Sequence, residues 1–137
     1  LEHYPSALRT FEEAVTLHKA LGDEREVALR LGVIGNLYAE LGRTTPDTRA
    51  AEQYLARALA YYQETLQIAQ ALGDQTSEAE LCRSIGNVLA NIGRYEDAIA
   101  HFERAHALFA MLGITQPLQA LSETIALAAQ YRDAQKP

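Results

Sequence analysis

The side chains that carry most protein chemistry occur in this 137-residue chain at spacings that assemble none of the usual sites. The histidines His3, His18, His101 and His106 include no i, i+4 pair, and five residues of helix put His101 and His106 about 140° apart on a helical wheel. No HExxH sequence and no Cys/His ligand set exists to hold zinc. Cys82 is the single cysteine, so it can close no internal disulfide, and a buried, inert thiol is its natural reading. The adjacent carboxylates Glu12-Glu13 and Glu96-Asp97 fall on helix surfaces or first turns, where negative charge suits hydration or the helix dipole. No acid is paired with a base. The glycines follow no GxxxxGK[ST] pattern and no strand precedes them, so a phosphate loop is missing. These residues predict a protein that is not an enzyme and needs no cofactor or metal. What remains is polar recognition. Asn36 and Asn87 each follow Ile-Gly, and a carboxamide offers a peptide backbone both a donor and an acceptor. Arg83 precedes Asn87 by four residues, on the same helical face. It can grip a carboxylate in fork geometry, or simply pair with Glu80 one turn away.

The elements that must position these residues come from a repeat. Leu21-Gly22-Asp23, Ile34-Gly35-Asn36 and Leu41-Gly42-Arg43 return 51 residues later as Leu72-Gly73-Asp74, Ile85-Gly86-Asn87 and Ile92-Gly93-Arg94, and Leu-Gly returns again at Leu112-Gly113. Such self-similarity fixes an architecture before any residue fixes a chemistry. Amphipathic periodicity predicts six helices, at 5–21, 24–41, 47–71, 75–92, 95–112 and 116–132. Gly22-Asp23 and Gly73-Asp74 read as a helix stop followed by an N-cap, and Gly42 and Gly93 are expected to end the first helix of each pair in the same way. Ala7, Phe11, Ala14 and Leu17 match Ala98, Phe102, Ala105 and Leu108, and Tyr4 matches Tyr95. Small residues at such positions let helices approach, with a neighbouring aromatic filling the space left.

The order Ala79, Ile85-Gly86-Asn87, Gly93-Arg94-Tyr95, Ala98, Phe102, Ala105, Leu108, Leu112-Gly113 resembles a tetratricopeptide repeat (TPR). The 40-residue step from Leu72 to Leu112 is longer than the usual 34 or so. It resembles the long variety of kinesin light chains, the LGN/Pins polarity adaptors and bacterial regulators of the signal-transduction ATPase type. HEAT or armadillo repeats are the runner-up and fit the Gly-Asn and Gly-Arg-Tyr order less well. The resemblance implies an all-α, right-handed TPR superhelix over 1–137. It divides into a half repeat at 1–22, a full repeat at 23–73, a full repeat at 74–113 and a half repeat at 114–137. The first full repeat holds 11 more residues than the second, near Thr44 to Tyr54. Both Ala50…Tyr54 and Ala58…Tyr62 match Ala98…Phe102, so the extra length lies at either end of the third helix, which could then protrude. The Leu1 start and the incomplete outer repeats suggest a piece of a longer array.

In that family the first helix of each pair lines a concave face. The resemblance therefore implies a groove for an extended peptide or helix at Leu29, Gly32, Asn36, Ala39 and Glu40, then at Glu80, Arg83, Asn87, Ala90 and Asn91. In the last helix Glu123, Leu127, Gln130 and Tyr131 fall at matching places. The paired lysines that clamp a C-terminal carboxylate in some relatives are missing. The expected role is a non-catalytic scaffold for a protein or peptide, as a sensor or regulatory arm of a larger protein. The alternative is a spacer or self-association module, a homo-oligomer formed through uncapped ends or through Tyr54 on the long third helix. A formal charge of −6 is the wrong sign for nucleic acid. No apolar run reaches the roughly 18 residues of a membrane span, and the expected location is cytoplasmic.

Overall fold

A computed structural model describes residues 4–136, which form six α-helices and no strand. They are α1 (Tyr4–Ala20), α2 (Glu24–Thr44), α3 (Thr48–Leu72), α4 (Gln75–Ile92), α5 (Tyr95–Met111) and α6 (Leu118–Gln135). His3 lies outside the described residues, as does the side chain of Tyr4. The chain makes two compact units, Leu1–Ala71 and Leu72–Pro137. In the first, α1 packs on α2 and α2 on α3; in the second, α5 packs on both α4 and α6.

Each unit is built on the same close contact. A Cβ placed on Gly35 of α2 would stand 2.7 Å from the Tyr62 ring of α3, and one placed on Gly86 of α4 would stand 2.6 Å from the Phe102 ring of α5. Ala58 and Ala98, one turn before the aromatics, are fully buried. Glycine thus brings the helix axes together and a ring fills the space, as the sequence pattern predicts. Phe102, Ile85 and Leu108 of the second unit, and Leu31 and Ile34 of the first, are among the largest fully buried side chains. Leu17, which matches Leu108 in sequence, is 59% exposed. The described residues place no helix against α1 in the role that α4 plays for α5.

The shared contact decides the register of α3, since Tyr62 takes the place of Phe102 and Ala58 that of Ala98. Measured from Gly35 and Gly86, α2 runs three residues further than α4; measured from the two rings, α3 starts seven residues earlier than α5. One more residue lies in the connection. The surplus therefore sits at the start of α3 and the end of α2. α3 is not a bare overhang, because α2 lengthens with it.

Gly42 is a correction. It ends no helix but lies buried inside α2, where a Cβ would meet the Leu55 side chain at 2.6 Å. Its sequence twin Gly93 does close α4, with φ of 89° and the Arg94 N–H donating to the Leu89 carbonyl at 2.9 Å. α2 stops at Thr44 because Pro46 follows: Thr45 is extended, and its N–H donates to the Leu41 carbonyl at 2.9 Å. Asp47 then accepts from the Arg49 N–H at 3.3 Å to start α3. The caps expected at Asp23 and Asp74 form, accepting from the Glu26 N–H at 3.3 Å and the Ser77 N–H at 3.1 Å. α6 starts at Leu118, behind Pro117, rather than at 116, and runs to Gln135 rather than 132.

The glycine contact is testable. Gly86→Ala should lower stability by about 1–2 kcal/mol, because overpacking against a buried ring outweighs the roughly 1 kcal/mol that alanine gains in helix propensity. Urea unfolding should show a lower midpoint at unchanged slope, and adding Phe102→Leu should recover part of the loss relative to Phe102→Leu alone.

Candidate functional site

The groove positions expected from sequence fall on two helices of different units. On α4, Glu80, Arg83, Asn87 and Asn91 follow at spacings of three and four and share one face. Glu80, Asn87 and Asn91 are exposed, and Arg83 is half-buried. Arg83 does not pair with Glu80. Its guanidinium lies over the Phe109 ring of α5, 5.6 Å from the centroid, where ring and cation attract and the side chain is held. Asn87 and Arg83 line a cleft of about 140 Å³ floored by Phe102 and Leu121 and walled by Pro117, Ala120 and Thr124.

Thr124 and Ala120 are cleft residues that the sequence reading missed. It named Glu123, Leu127, Gln130 and Tyr131 on α6. Glu123 instead accepts from the Gln119 carboxamide at 3.0 Å, Tyr131 stacks on Tyr95 at 5.5 Å, and Leu127 and Gln130 are exposed. The available signal was the repeat alignment itself, which sets Ala120 opposite Glu80 and Thr124 opposite Ser84.

On α2, Asn36 is exposed, but its Oδ1 accepts a hydrogen bond of 2.5 Å from the Tyr62 hydroxyl. Phe102 stands in that place beside Asn87 and has no hydroxyl to give. Glu40 is engaged as well, by the Arg43 guanidinium, with Nε at 3.2 Å. The two asparagines, alike in sequence, thus differ: Asn36 is tied down through its oxygen, whereas the Asn87 carboxamide has no partner among the described residues and keeps its donor and acceptor capacity.

Tyr54 is half-buried and belongs to a tyrosine cluster. Its ring lies 6.2 Å from that of buried Tyr38, which stacks on Tyr61 at 5.6 Å with 11° between the planes. Arg57 sits 5.7 Å from the Tyr38 centroid, and its Nη1 donates to the Tyr38 hydroxyl at 3.3 Å. That hydrogen bond, ahead of other causes, raises the Arg57 pKa.

The groups with nucleophilic or ligating chemistry are otherwise occupied. Cys82 is buried, and burial, helped by Glu78, pushes its thiol up to about 11, so it stays protonated at neutral pH. His101 Nδ1 lies 2.9 Å from the Asp97 carbonyl, and His106 Nε2 lies 3.3 Å from the Ser122 hydroxyl. His18 Nδ1 is buried with no partner among the described residues. No group of three or more His, Cys, Asp or Glu converges among those residues.

Tyr62 gives a pH test. Burial pushes its phenol from 10 up to about 12. The folded pKa lies above the unfolded one, so this stabilisation is complete below pH 10 and lost as pH rises through 12. The span corresponds to about 2–3 kcal/mol. Alkaline titration of unfolding free energy should show a decline from pH 10 that is shallower in Tyr62→Phe. At neutral pH the same variant should lose about 1 kcal/mol with the bond to Asn36.

No helix among the described residues is long and apolar enough to cross a membrane. Comparison with curated proteins returned no match. Residues 47–111, from the connection before α3 to the end of α5, match the family model of the tetratricopeptide repeat. Repeats of this kind commonly serve as protein-interaction scaffolds and are typically non-catalytic. The Gly86–Phe102 hairpin, with the matched segment around it, thus supports a tetratricopeptide-repeat family for this chain.

Proposed function

We propose that the chain is a non-catalytic, cytoplasmic scaffold of the long-repeat TPR variety, binding an extended peptide or a helix of a partner protein. In this reading the α4 face is the centre of the site. The observation that carries it is the cleft over Phe102, where Arg83, Asn87 and Thr124 are brought together. Asn87 would grip a peptide group through both ends of its carboxamide. Arg83, already fixed on Phe109, would take an acidic side chain at little further entropic cost. Glu80 and Asn91 extend the contact along α4; in the first unit Asn36 and Glu40 offer a contact of their own on α2, in the more restrained way that their existing bonds allow. A regulatory arm beside a catalytic or DNA-binding domain is the setting that the resemblance suggests.

Self-association is a second reading, favoured by exposed apolar side chains near the outer helices: Leu21 at 70%, Leu17 at 59%, Tyr131 at 52% and Leu127 at 51%. Light scattering over a concentration series tests it. A mass that rises reversibly in wild type but stays monomeric in Leu17→Glu with Leu127→Glu supports this reading, and a constant monomer rejects it.

The groove reading is tested on an array of peptides of defined sequence. Peptides bound by the wild type should bind at least about tenfold more weakly to Asn87→Ala, matching one unpaired peptide group. Peptides whose binding also depends on Arg83→Gln should be enriched in Asp and Glu. Equal binding of every peptide to wild type and to both variants overturns the assignment.

A further inference from the structure

The residues added between the two helices of the first pair supply part of a cavity, and the short Gly93-Arg94 connection of the second pair has no counterpart to them. Thr45 comes from the longer connection, Tyr54 is the last added residue of α3, and Arg57 follows within a turn. Facing them, Leu8, Arg9 and Glu12 project from one side of α1, and Tyr38 and Leu41 of α2 complete the wall. The space is about 550 Å³, within the range of sites that hold small organic molecules. None of the groove residues Arg83, Asn87 or Asn36 lines it.

Its chemistry is divided. Leu8 and Leu41 are buried, and the Tyr38 and Tyr54 rings lie 6.2 Å apart, giving apolar and aromatic surface. Arg9, Glu12 and Arg57 are exposed, two cations against one carboxylate. The cation slot over Tyr38 is already filled by Arg57, 5.7 Å from the ring centroid. An aromatic cage for a second cation is therefore disfavoured. Arg57 spends one donor on the Tyr38 hydroxyl, and a guanidinium carries five. Arg9 makes no ion pair among the described residues. In a chain of net charge −6, this is a local surplus of positive charge beside an apolar wall.

We infer that the lengthened α2–α3 hairpin forms a second binding site, for a small organic anion whose apolar or aromatic body lies against Leu8, Leu41 and Tyr54 and whose single acidic group meets Arg9 and Arg57. Such a ligand places no charge on the wall and no apolar surface at the mouth. A neutral molecule of the same shape would forfeit the guanidinium contacts, and a cation would meet both arginines.

The test uses two fluorescent probes that share a ring system, anionic 8-anilinonaphthalene-1-sulfonate and uncharged N-phenyl-1-naphthylamine. The sulfonate should bind saturably at one site per chain. Arg9→Gln with Arg57→Gln should weaken the sulfonate at least about tenfold and the neutral probe less than about twofold, whereas Tyr54→Ala should weaken both. Asn87→Ala should change neither, which separates this site from the groove. Circular dichroism checks that each variant keeps its helices, and Tyr54→Leu replaces Tyr54→Ala if the latter does not. Absence of saturable binding, or sulfonate binding untouched by the arginine pair, overturns the inference. So does equal loss of both probes in the arginine variant.

Discussion

One missing methyl group, at Gly35 and again at Gly86, sets the distance between the helices of each hairpin. With any larger residue the Tyr62 or Phe102 ring could not lie where it does, and Ala58 and Ala98 would lose their cover. The contact also places the polar residues. In each copy asparagine follows the glycine directly, and one residue of helix turns a side chain by about 100°. A glycine pressed against the partner helix therefore carries its neighbour out to solvent, and Asn36 and Asn87 are both exposed. The feature that closes the hairpin and the feature that could bind a partner are consecutive residues, so neither can drift without the other.

Equivalence of backbone is not equivalence of chemistry. A single hydroxyl separates Tyr62 from Phe102, and it changes what the neighbouring carboxamide has left to offer. Asn36 gives its oxygen to Tyr62, which orients the amide but uses part of its capacity. Asn87 keeps both ends, and beside it Arg83 is oriented by the Phe109 face rather than by a carboxylate. An ion pair with Glu80 would have neutralised that guanidinium. Packing on an aromatic ring fixes it and leaves its charge, which is why the α4 face is the stronger candidate of the two.

Much of this was legible in the sequence. Five of the helix starts and the caps at Asp23 and Asp74 follow from local chemistry, and the Gly-to-aromatic match follows from the repeat. Gly42 was not legible. Leu-Gly-Arg and Ile-Gly-Arg look alike, yet one glycine is needed for a left-handed turn and the other for close approach to Leu55, which lies 13 residues on. Only the crossing of α2 and α3 distinguishes the two uses. The Tyr62 hydroxyl's choice of Asn36, across 26 residues, is hidden for the same reason. On α6 the repeat alignment named a face, but a helix packed on one partner has an edge on either side of the contact. The edge turned to α4 carries Ala120 and Thr124 rather than Glu123 and Leu127.

The added residues show how a repeat can gain a feature without losing its core. Eleven residues make three helical turns and about 20°, which would hold a buried face in phase if they formed one uninterrupted helix. They do not, being split across the connection, and phase is kept by another route. In α3 the buried positions Leu55, Ala58, Tyr62, Thr65 and Ala69 continue one stripe at alternating steps of three and four. Leu55, seven residues before Tyr62, stands at the point where α5 begins in the other hairpin, and the added turns of α3 lead into it. Without a longer α2 beside it, Leu55 would stand in water. α2 instead grows by three residues, and the first of them is Gly42, whose bare backbone admits the Leu55 side chain. The base of the extension is thereby anchored on α2. Tyr54 and Arg57, which flank Leu55, are held by helix rather than by loop, and a cavity walled by such residues is shaped before any ligand arrives.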